Sequence, residues 1–305
     1  MSKLIGIDVG GTNLRVGVFS GLELIEETRH QANFSQFCKD HSPNEAWQKI
    51  LTVTANAIQA VITKYPDVKA IGIGFPGFID PNTQFIAQSP NLPGLNNVNL
   101  AADLSRLIGK KVIVENDANA AAYGEYCLAG KLVGGLIYLG LGTGVGGGFI
   151  DRRGKLYSGQ HGVAMEVGHI IIEPNGRLCG CGNKGCMEQY ASASGVAISY
   201  FNATKQQLSA HQIAELAEAG DKVAIEAYAL AANALAQTLA SIAKVIDVSN
   251  VVIGGGLTGA WSLMQNTFKQ RMEADLIPIL RGKITVKISS AHDIAGMLGA
   301  ALLAY

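Results

Sequence analysis

Leu4-Ile5-Gly6-Ile7-Asp8-Val9-Gly10-Gly11-Thr12 opens the chain, and Leu14 to Phe19 follows as a second strand-like run. Two such runs around a glycine bend predict a β-hairpin turning at Gly10, Gly11 and Thr12. The pattern returns at Leu136-Ile137-Tyr138-Leu139-Gly140-Leu141-Gly142-Thr143-Gly144, which leads into Val145 to Ile150. Setting Asp8 against Gly140 aligns strand, turn and strand, an internal repeat with one copy opening each half of the chain. Between the copies the spacing predicts a helix near Asn44 to Tyr65, a strand Ala70 to Gly74 and a loop from Phe75 to Leu95. A helix Leu100 to Leu107 and a strand Lys111 to Val114 follow. That strand ends at Glu115-Asn116-Asp117-Ala118, and an alanine-rich helix continues to about Leu128. Beyond the second copy come helices between Ala193 and Val245, strands Val251 to Ile253 and Lys283 to Ser289, and a closing helix from Ala295. Strands alternating with helices predict α/β layers. No low-complexity linker divides the halves. The boundary is placed just after Asp117, with residues 1–117 a small lobe joined by the closing helix 295–305, and 118–294 a large one.

The 305 residues are 48% hydrophobic and 16% charged, enough apolar mass for sizeable cores. Acidic and basic residues balance at 24 each, so no net field favours nucleic acid or an anionic membrane. The longest apolar helical stretch, about Ala224 to Ile246, carries Glu226, Asn233, Gln237, Ser241 and Lys244. Those polar residues argue against a membrane span, and Leu235, Leu239, Ile242 and Ile246 recur at the spacing of a buried amphipathic helix. Gly6, Asp8 and Gly10 interrupt the first apolar run too early for a secretory signal, so a cytoplasmic location is expected.

Met165-Glu166-Val167-Gly168-His169 precedes Cys179-Gly-Cys181-Gly-Asn-Lys-Gly-Cys186-Met-Glu188. Three thiols in C-x-C-x₄-C spacing, interleaved with glycine, can wrap one tetrahedral ion, and a nearby histidine can complete the set. The competing reading is a disulfide or a buried thiol cluster. Five cysteines in the whole chain and a reducing compartment favour zinc. Cys38 and Cys127 are isolated and read as packing residues.

Three glycine clusters each follow an apolar strand: Gly10-Gly11-Thr12, Gly142-Thr143-Gly144 and Gly254-Gly255-Gly256. Glycine lets backbone N–H groups turn toward an anion, and a threonine hydroxyl adds a donor, so the three together point to a nucleotide. No P-loop motif occurs, and the glycines at Gly142 to Gly147 enter a hairpin and not a helix, which excludes the Rossmann context. Asp117 stands at the end of a strand with two readings open. One is an N-cap for the helix that follows. The other is a general base at the carboxyl end of a parallel strand, accepting the proton of an attacking hydroxyl in phosphoryl transfer. Asn91 reads alone as a turn residue, and Asp8 either steadies its turn or positions Mg²⁺ through water.

Taken together, Asp8-Val-Gly-Gly-Thr12, Asn116-Asp-Ala-Asn119, Leu141-Gly-Thr-Gly-Val-Gly-Gly-Gly148, Glu166-Val-Gly-His169, the cysteine motif and Ile253-Gly-Gly-Gly256 resemble the ROK family of repressors, open reading frames and sugar kinases. The resemblance runs in order over nearly the whole chain. It implies the two-lobed actin-like ATPase (ribonuclease H-like) fold with duplicated β-sheet cores, binding ATP and a sugar in its cleft. It further implies that Asp117 is the catalytic base and that Asn91, Asn116, Asp117, Glu166, His169 and Glu188 bind the sugar. His169, Cys179, Cys181 and Cys186 would hold structural Zn²⁺. The loops at Asp8, Gly10, Gly11 and Thr12 and at Gly142, Thr143 and Gly144 would face the phosphates with Mg²⁺, and Gly254, Gly255 and Gly256 would lie near the nucleotide. A homodimer is the family's expectation.

Repressors of the family carry a helix-turn-helix before the Asp-x-Gly-Gly-Thr motif, for which Asp8 leaves no room. The competing non-enzymatic reading is a sugar sensor without a DNA-binding module. Nine residues separate His169 from Cys179, a compact loop resembling the family's glucokinases, with a place in carbohydrate metabolism and glycolysis. N-acetylglucosamine kinase is the alternative substrate reading. N-acetylmannosamine kinases often carry histidine where Glu166 stands. The family's Asp-Pro before the third glycine cluster is replaced by Asp247-Val248.

Overall fold

A computed structural model describes residues 2–89, 92–291 and 294–305. The chain forms two compact units, residues 1–133, 148–164 and 291–305, and residues 134–147 and 165–290.

The first unit is built on a five-stranded sheet. Its strands are β1 (Lys3–Val9), β2 (Asn13–Ser20), β3 (Glu23–Gln31), β4 (Ala70–Phe75) and, after the short strands named below, β8 (Val112–Asn116), in the order β3-β2-β1-β4-β8. β1 and β2 form the expected hairpin, while β1, β4 and β8 run parallel. Side chains alternate across β1. Ile5, Ile7 and Val9 enter the main core, which also holds α2 (Pro43–Lys64), reached from β3 through α1 (Phe34–Asp40). Trp47, Ile50, Leu51, Thr54, Ala57, Ile58 and Val61 form the buried stripe of α2 at helical spacing. That helix starts at a capping box, Ser42 with Glu45, with Pro43 in its first turn.

The opposite face of β1 presents Leu4, Gly6 and Asp8. A side chain on Gly6 or Gly72 would overlap the carbonyls of Met297 and Ala300, so α10 (Ile294–Leu303) lies almost on the sheet backbone. The same closeness joins α10 to α4 (Asp117–Leu128), where Gly124 faces the Ala295 carbonyl and Gly299 faces that of Ala120. This packing carries the first unit past Asp117 to Val133, whereas the sequence places the boundary at Asp117. The expected loop Phe75 to Leu95 contains β5 (Phe78–Ile79) and β6 (Ile86–Gln88), which form a small antiparallel sheet with β7 (Asn96–Val98). Strands of two and three residues are too short to show a period of two. α3 (Leu100–Ile108) follows β7 and leads to β8.

The second unit repeats the plan. β9 (Leu136–Leu141), β10 (Val145–Ile150), β11 (Asn250–Gly254) and β12 (Thr285–Ile288) take the order β10-β9-β11-β12, with β11 parallel to both neighbours. The register bears out the repeat: Asp8 pairs with Gly74 in one sheet, and Gly140 pairs with Gly254 in the other. The chain returns to the first unit at Gly148, within β10. The remaining helices are α5 (Glu188–Ala191), α6 (Ala193–Thr204), α7 (Ala210–Glu218), α8 (Lys222–Ile246) and α9 (Trp261–Asp275). α8 is long and apolar enough to cross a bilayer, yet more than half of that stretch is buried, and it packs on α5, α6, α7 and α9. At its end Asp247 adopts the left-handed conformation and returns its N–H to Ala243, so a turn forms without the family's proline.

Candidate active site and metal cluster

In the first unit the carboxyl ends of three parallel strands carry the polar residues. Asp8, Gly74 and Glu115 lie in register across β1, β4 and β8, hence on one face of the sheet. Asp117 follows at the first position of α4, and a side chain on Gly74 would touch its Cα at 3.6 Å.

The two readings of Asp117 separate here. Asn116 is the N-cap of α4: its backbone is non-helical, and its side-chain oxygen accepts the N–H groups of Ala118 at 2.9 Å and Asn119 at 3.1 Å. Asp117 is therefore spared that task, and its Oδ1 accepts the adjacent Ala118 N–H at 2.9 Å. Burial raises its carboxyl above the ordinary range, partly offset by backbone N–H bonds. Asn116 also donates from Nδ2 to the Gly77 carbonyl at 3.2 Å, so the amide expected on the sugar is engaged in shaping the strand-to-helix corner.

Glu115, which sequence reasoning passed over as a strand end, braces that corner. Its Oε1 accepts the Asn116 N–H at 2.9 Å and Asn119 Nδ2 at 3.0 Å, and burial raises its carboxyl too. The signal for it was the polar run Glu-Asn-Asp-Ala-Asn at the end of an apolar strand. Asn91 lies outside the described residues.

The Asp8 hairpin closes through Gly10 N–H to Asn13 carbonyl at 2.8 Å, leaving Thr12 exposed at its tip. In the second unit Gly142 N–H reaches the Gly144 carbonyl at 2.9 Å, and Thr143 is the exposed tip. The third cluster differs. A side chain on Gly255, whose φ is +89°, would overlap the Leu141 carbonyl, and one on Gly254 would lie 2.7 Å from the Tyr138 hydroxyl. Both are glycine because β11 crowds β9. Gly256, at the start of a 3₁₀ turn, meets nothing within 4 Å and is the open one of the three.

The second unit also brings the cysteine motif together. One ligand atom from each of His169, Cys179, Cys181 and Cys186 falls within 4.8 Å of the others. His169 Nδ1 is 3.6 Å from Cys179 Sγ, and Cys181 Sγ is 3.6 Å from Cys186 Sγ. A zinc tetrahedron with ordinary bond lengths has S–N and S–S edges of about 3.6 and 3.8 Å, so these two pairs stand close to the separations that a zinc ion requires. A disulfide needs about 2.05 Å between sulfurs, and all five cysteines are free.

The other histidine nitrogen, Nε2, is 3.9 Å from Glu166 Oε2, so the ring spans from the thiols to a carboxylate. Tight turns shape the loop: Cys179 N–H bonds Asn183 carbonyl, and Gly185 N–H bonds Arg177 carbonyl, both at 2.8 Å. Arg177 pins the loop to α5 and α6. Its guanidinium donates to the Gln189 and Gly195 carbonyls at 2.6 and 3.1 Å and to Ser199 Oγ at 3.0 Å, above the Tyr190 ring. Glu188 begins α5, and its Oε2 accepts the Val145 N–H at 2.9 Å, a tie to the loop of Gly142 to Gly144 that sequence reasoning missed.

Residues 4–305 match the model of the ROK family. The chain is 32% identical to a glucokinase of Thermotoga maritima, over 98% of this chain and 96% of that one. It is 30% identical to an N-acetyl-D-glucosamine kinase of Mannheimia succiniciproducens, over 98% of each. Among solved structures it resembles a ROK family glucokinase from Streptomyces griseus in complex with glucose and AMPPNP, with a TM-score of 0.81, 32% identity and 99% of each chain covered. The duplicated sheet topology and these likenesses make the fold the actin-like ATPase fold, and the chain belongs to the ROK family.

Proposed function

We propose that the protein transfers the γ-phosphoryl group of ATP to the 6-hydroxyl of glucose. The observation that carries this reading is the junction of β8 and α4, where Asn116 takes the helix cap and leaves the Asp117 carboxylate for a proton. In this mechanism Asp117 accepts the proton of the sugar hydroxyl as that oxygen attacks the γ-phosphorus in line, and ADP departs. Glu166, His169 and Glu188 accept or donate hydrogen bonds to ring hydroxyls. A hexose lacking one of those hydroxyls leaves a polar group that its ring has covered unpaired, at a cost of about 1–3 kcal/mol. The loops at Gly10 to Thr12 and Gly142 to Gly144 present backbone N–H groups and the Thr12 and Thr143 hydroxyls to the phosphates. Asp8 would help to hold Mg²⁺, which would supply neutralisation of the phosphate charge.

His169, Cys179, Cys181 and Cys186 fit Zn²⁺ by donor type and spacing, and a metal there would fix the loop that joins Glu166 to Glu188. We further propose a homodimer acting in the cytoplasm, where thiols stay reduced.

Glucose is favoured by the 32% identity to glucokinases over the full chain. The 30% identity to an N-acetyl-D-glucosamine kinase supports the alternative sugar. The test is kcat/KM by ADP release with glucose, N-acetylglucosamine, mannose, fructose and N-acetylmannosamine. Glucose leading supports the proposal. N-acetylglucosamine leading keeps the base and transfers the assignment to amino-sugar phosphorylation. ADP release with none of them refutes a hexose substrate.

A further inference from the structure

Two glycine motifs converge on one carboxylate. Glu188 Oε2 accepts the Val145 N–H at 2.9 Å, and a side chain on Gly144 would overlap that same oxygen. A side chain on Gly168, from Glu166-Val-Gly-His169, would lie 3.4 Å from Glu188 Cβ, 3.5 Å from its Oε2 and 2.5 Å from the Val145 carbonyl. Gly144, Val145 and Gly168 thus form a slot that fits the Glu188 side chain. The residue after Ser192 adds a second tie, Ala193 N–H to the Gly142 carbonyl at 2.9 Å. Glu188 Oε1 has no partner among the described residues.

We propose that Glu188 is a positioning residue that couples sugar recognition to the phosphate loop, with Oε2 fixed on Val145 and Oε1 left for a sugar hydroxyl. This rests on the reading of Glu188 as a sugar ligand. A hydroxyl on Oε1 orients the carboxylate and with it the Val145 N–H, so the loop is set in its phosphate-binding form. Coupling is reciprocal, and a nucleotide that orders the loop holds Oε1 in place for the sugar. Gly144 is then glycine for the sake of a sugar ligand, although it stands in the phosphate loop.

The experiment is calorimetric titration of the selected hexose and of a non-hydrolysable ATP analogue, each alone and with the other saturating. It is run on the wild type, Gly144→Ala, Glu188→Asp and Glu188→Ala, with metal content and melting temperature recorded. Gly144→Ala is expected to weaken hexose binding in the absence of nucleotide about tenfold, the loss of one charge-assisted hydrogen bond. Glu188→Asp, too short to reach both partners, is expected to lose the coupling while binding the analogue alone within about twofold of wild type. If Gly144→Ala fails to fold, unchanged coupling in Glu188→Asp overturns the proposal. Wild-type hexose affinity in Gly144→Ala, beside a loss in Glu188→Ala, overturns the link alone. Wild-type hexose affinity in Glu188→Ala removes the sugar-ligand reading and the proposal with it.

Discussion

Two glycines three residues apart on α10 are expected to respond to alanine with opposite signs. At Gly299 a Cβ would overlap the Ala120 carbonyl oxygen and stand 2.7 Å from the Gly124 nitrogen. Both are backbone atoms of α4, so no side chain can swing aside, and α10 must lift from α4 as a body. Overpacking of this kind costs about 1–3 kcal/mol, and an obstacle made of backbone puts Gly299→Ala at the upper end. At Gly296 no atom of the described residues beyond its own helical turn lies within 4 Å, so Gly296→Ala adds a side chain to open space. There the change removes the glycine penalty of a helix and stabilises by about 0.5–1 kcal/mol. At about 2–4 °C per kcal/mol, Gly299→Ala should lower the melting temperature by roughly 6–12 °C and Gly296→Ala raise it by up to about 4 °C. α4 begins with Asp117, so Gly299→Ala should also reduce kcat, measured by ADP release at a temperature where it remains folded. Scanning fluorimetry on the two variants and the wild type decides the matter. Equal melting temperatures, or a stabilised Gly299→Ala, would refute the claim that α10 rests on the backbone of α4.

Asp117→Asn should abolish turnover while leaving hexose affinity in place, because the amide keeps the shape and cannot take the proton. Burial raises the Asp117 carboxyl, so the folded state holds its proton more tightly than the unfolded chain. Stability from this group is therefore greatest below the unfolded value and falls as pH rises through the raised one. Asp117→Asn should accordingly melt higher than wild type at neutral pH and lose that advantage in acid. The same shift moves the acid limb of kcat/KM upward from the ordinary aspartate range, and a limb at the ordinary value would contradict it. Asn116→Ala removes both cap bonds and should cost about 1 kcal/mol with a larger loss in kcat than in hexose affinity, read by melting and steady-state kinetics. Metal analysis should find about one zinc per chain, and Cys181→Ser should lower zinc content, melting temperature and hexose affinity together; a folded, active, zinc-free wild type would sink the metal reading.

The hairpins and the long helices were legible because their periods are long enough to recur. Asp8 and Gly140 could be aligned from the sequence, and the sheets place them at equivalent positions, against Gly74 and Gly254. β3 was missed for a physical reason. It is an edge strand carrying Glu23, Glu26, Glu27 and Arg29, held partly by the Arg15–Glu27 ion pair at 2.9 Å, so it shows no apolar alternation. β5, β6 and β7 were hidden by their length. At the candidate site the residue types were visible and their division of labour was not. Nothing in Glu115-Asn116-Asp117 says which side chain caps the helix, since both asparagine and aspartate cap well. That choice depends on Asn116, whose backbone N–H is held by Glu115 and whose side-chain amide is held by the Gly77 carbonyl.

Glycine shows the same ambiguity in a sharper form. A sequence offers one symbol for a backbone that must turn, one that must admit an anion and one that must admit a neighbour. The three glycine clusters read alike, yet Gly255 is required by the Leu141 carbonyl and Gly144 by the Glu188 carboxylate, while Gly256 meets nothing. Counting glycines at strand ends therefore overstates the evidence for phosphate contact, because crowding accounts for two of these positions without any ligand. What survives the sorting is narrower. The three-residue bends Gly10 to Thr12 and Gly142 to Gly144 stand at equivalent places in a duplicated sheet, each with an exposed threonine, at the third position in one and the second in the other, and duplication is difficult to explain by local packing. Packing at Gly6 and Gly72 serves α10 in the first sheet, and packing at Gly254 and Gly255 serves the β9–β11 contact in the second, so the packing demands differ. Bends of one length at the same place in each sheet, held by different neighbours, share a constraint that packing does not supply, and the repeat is then better evidence for an anion at each bend than the glycines that revealed it.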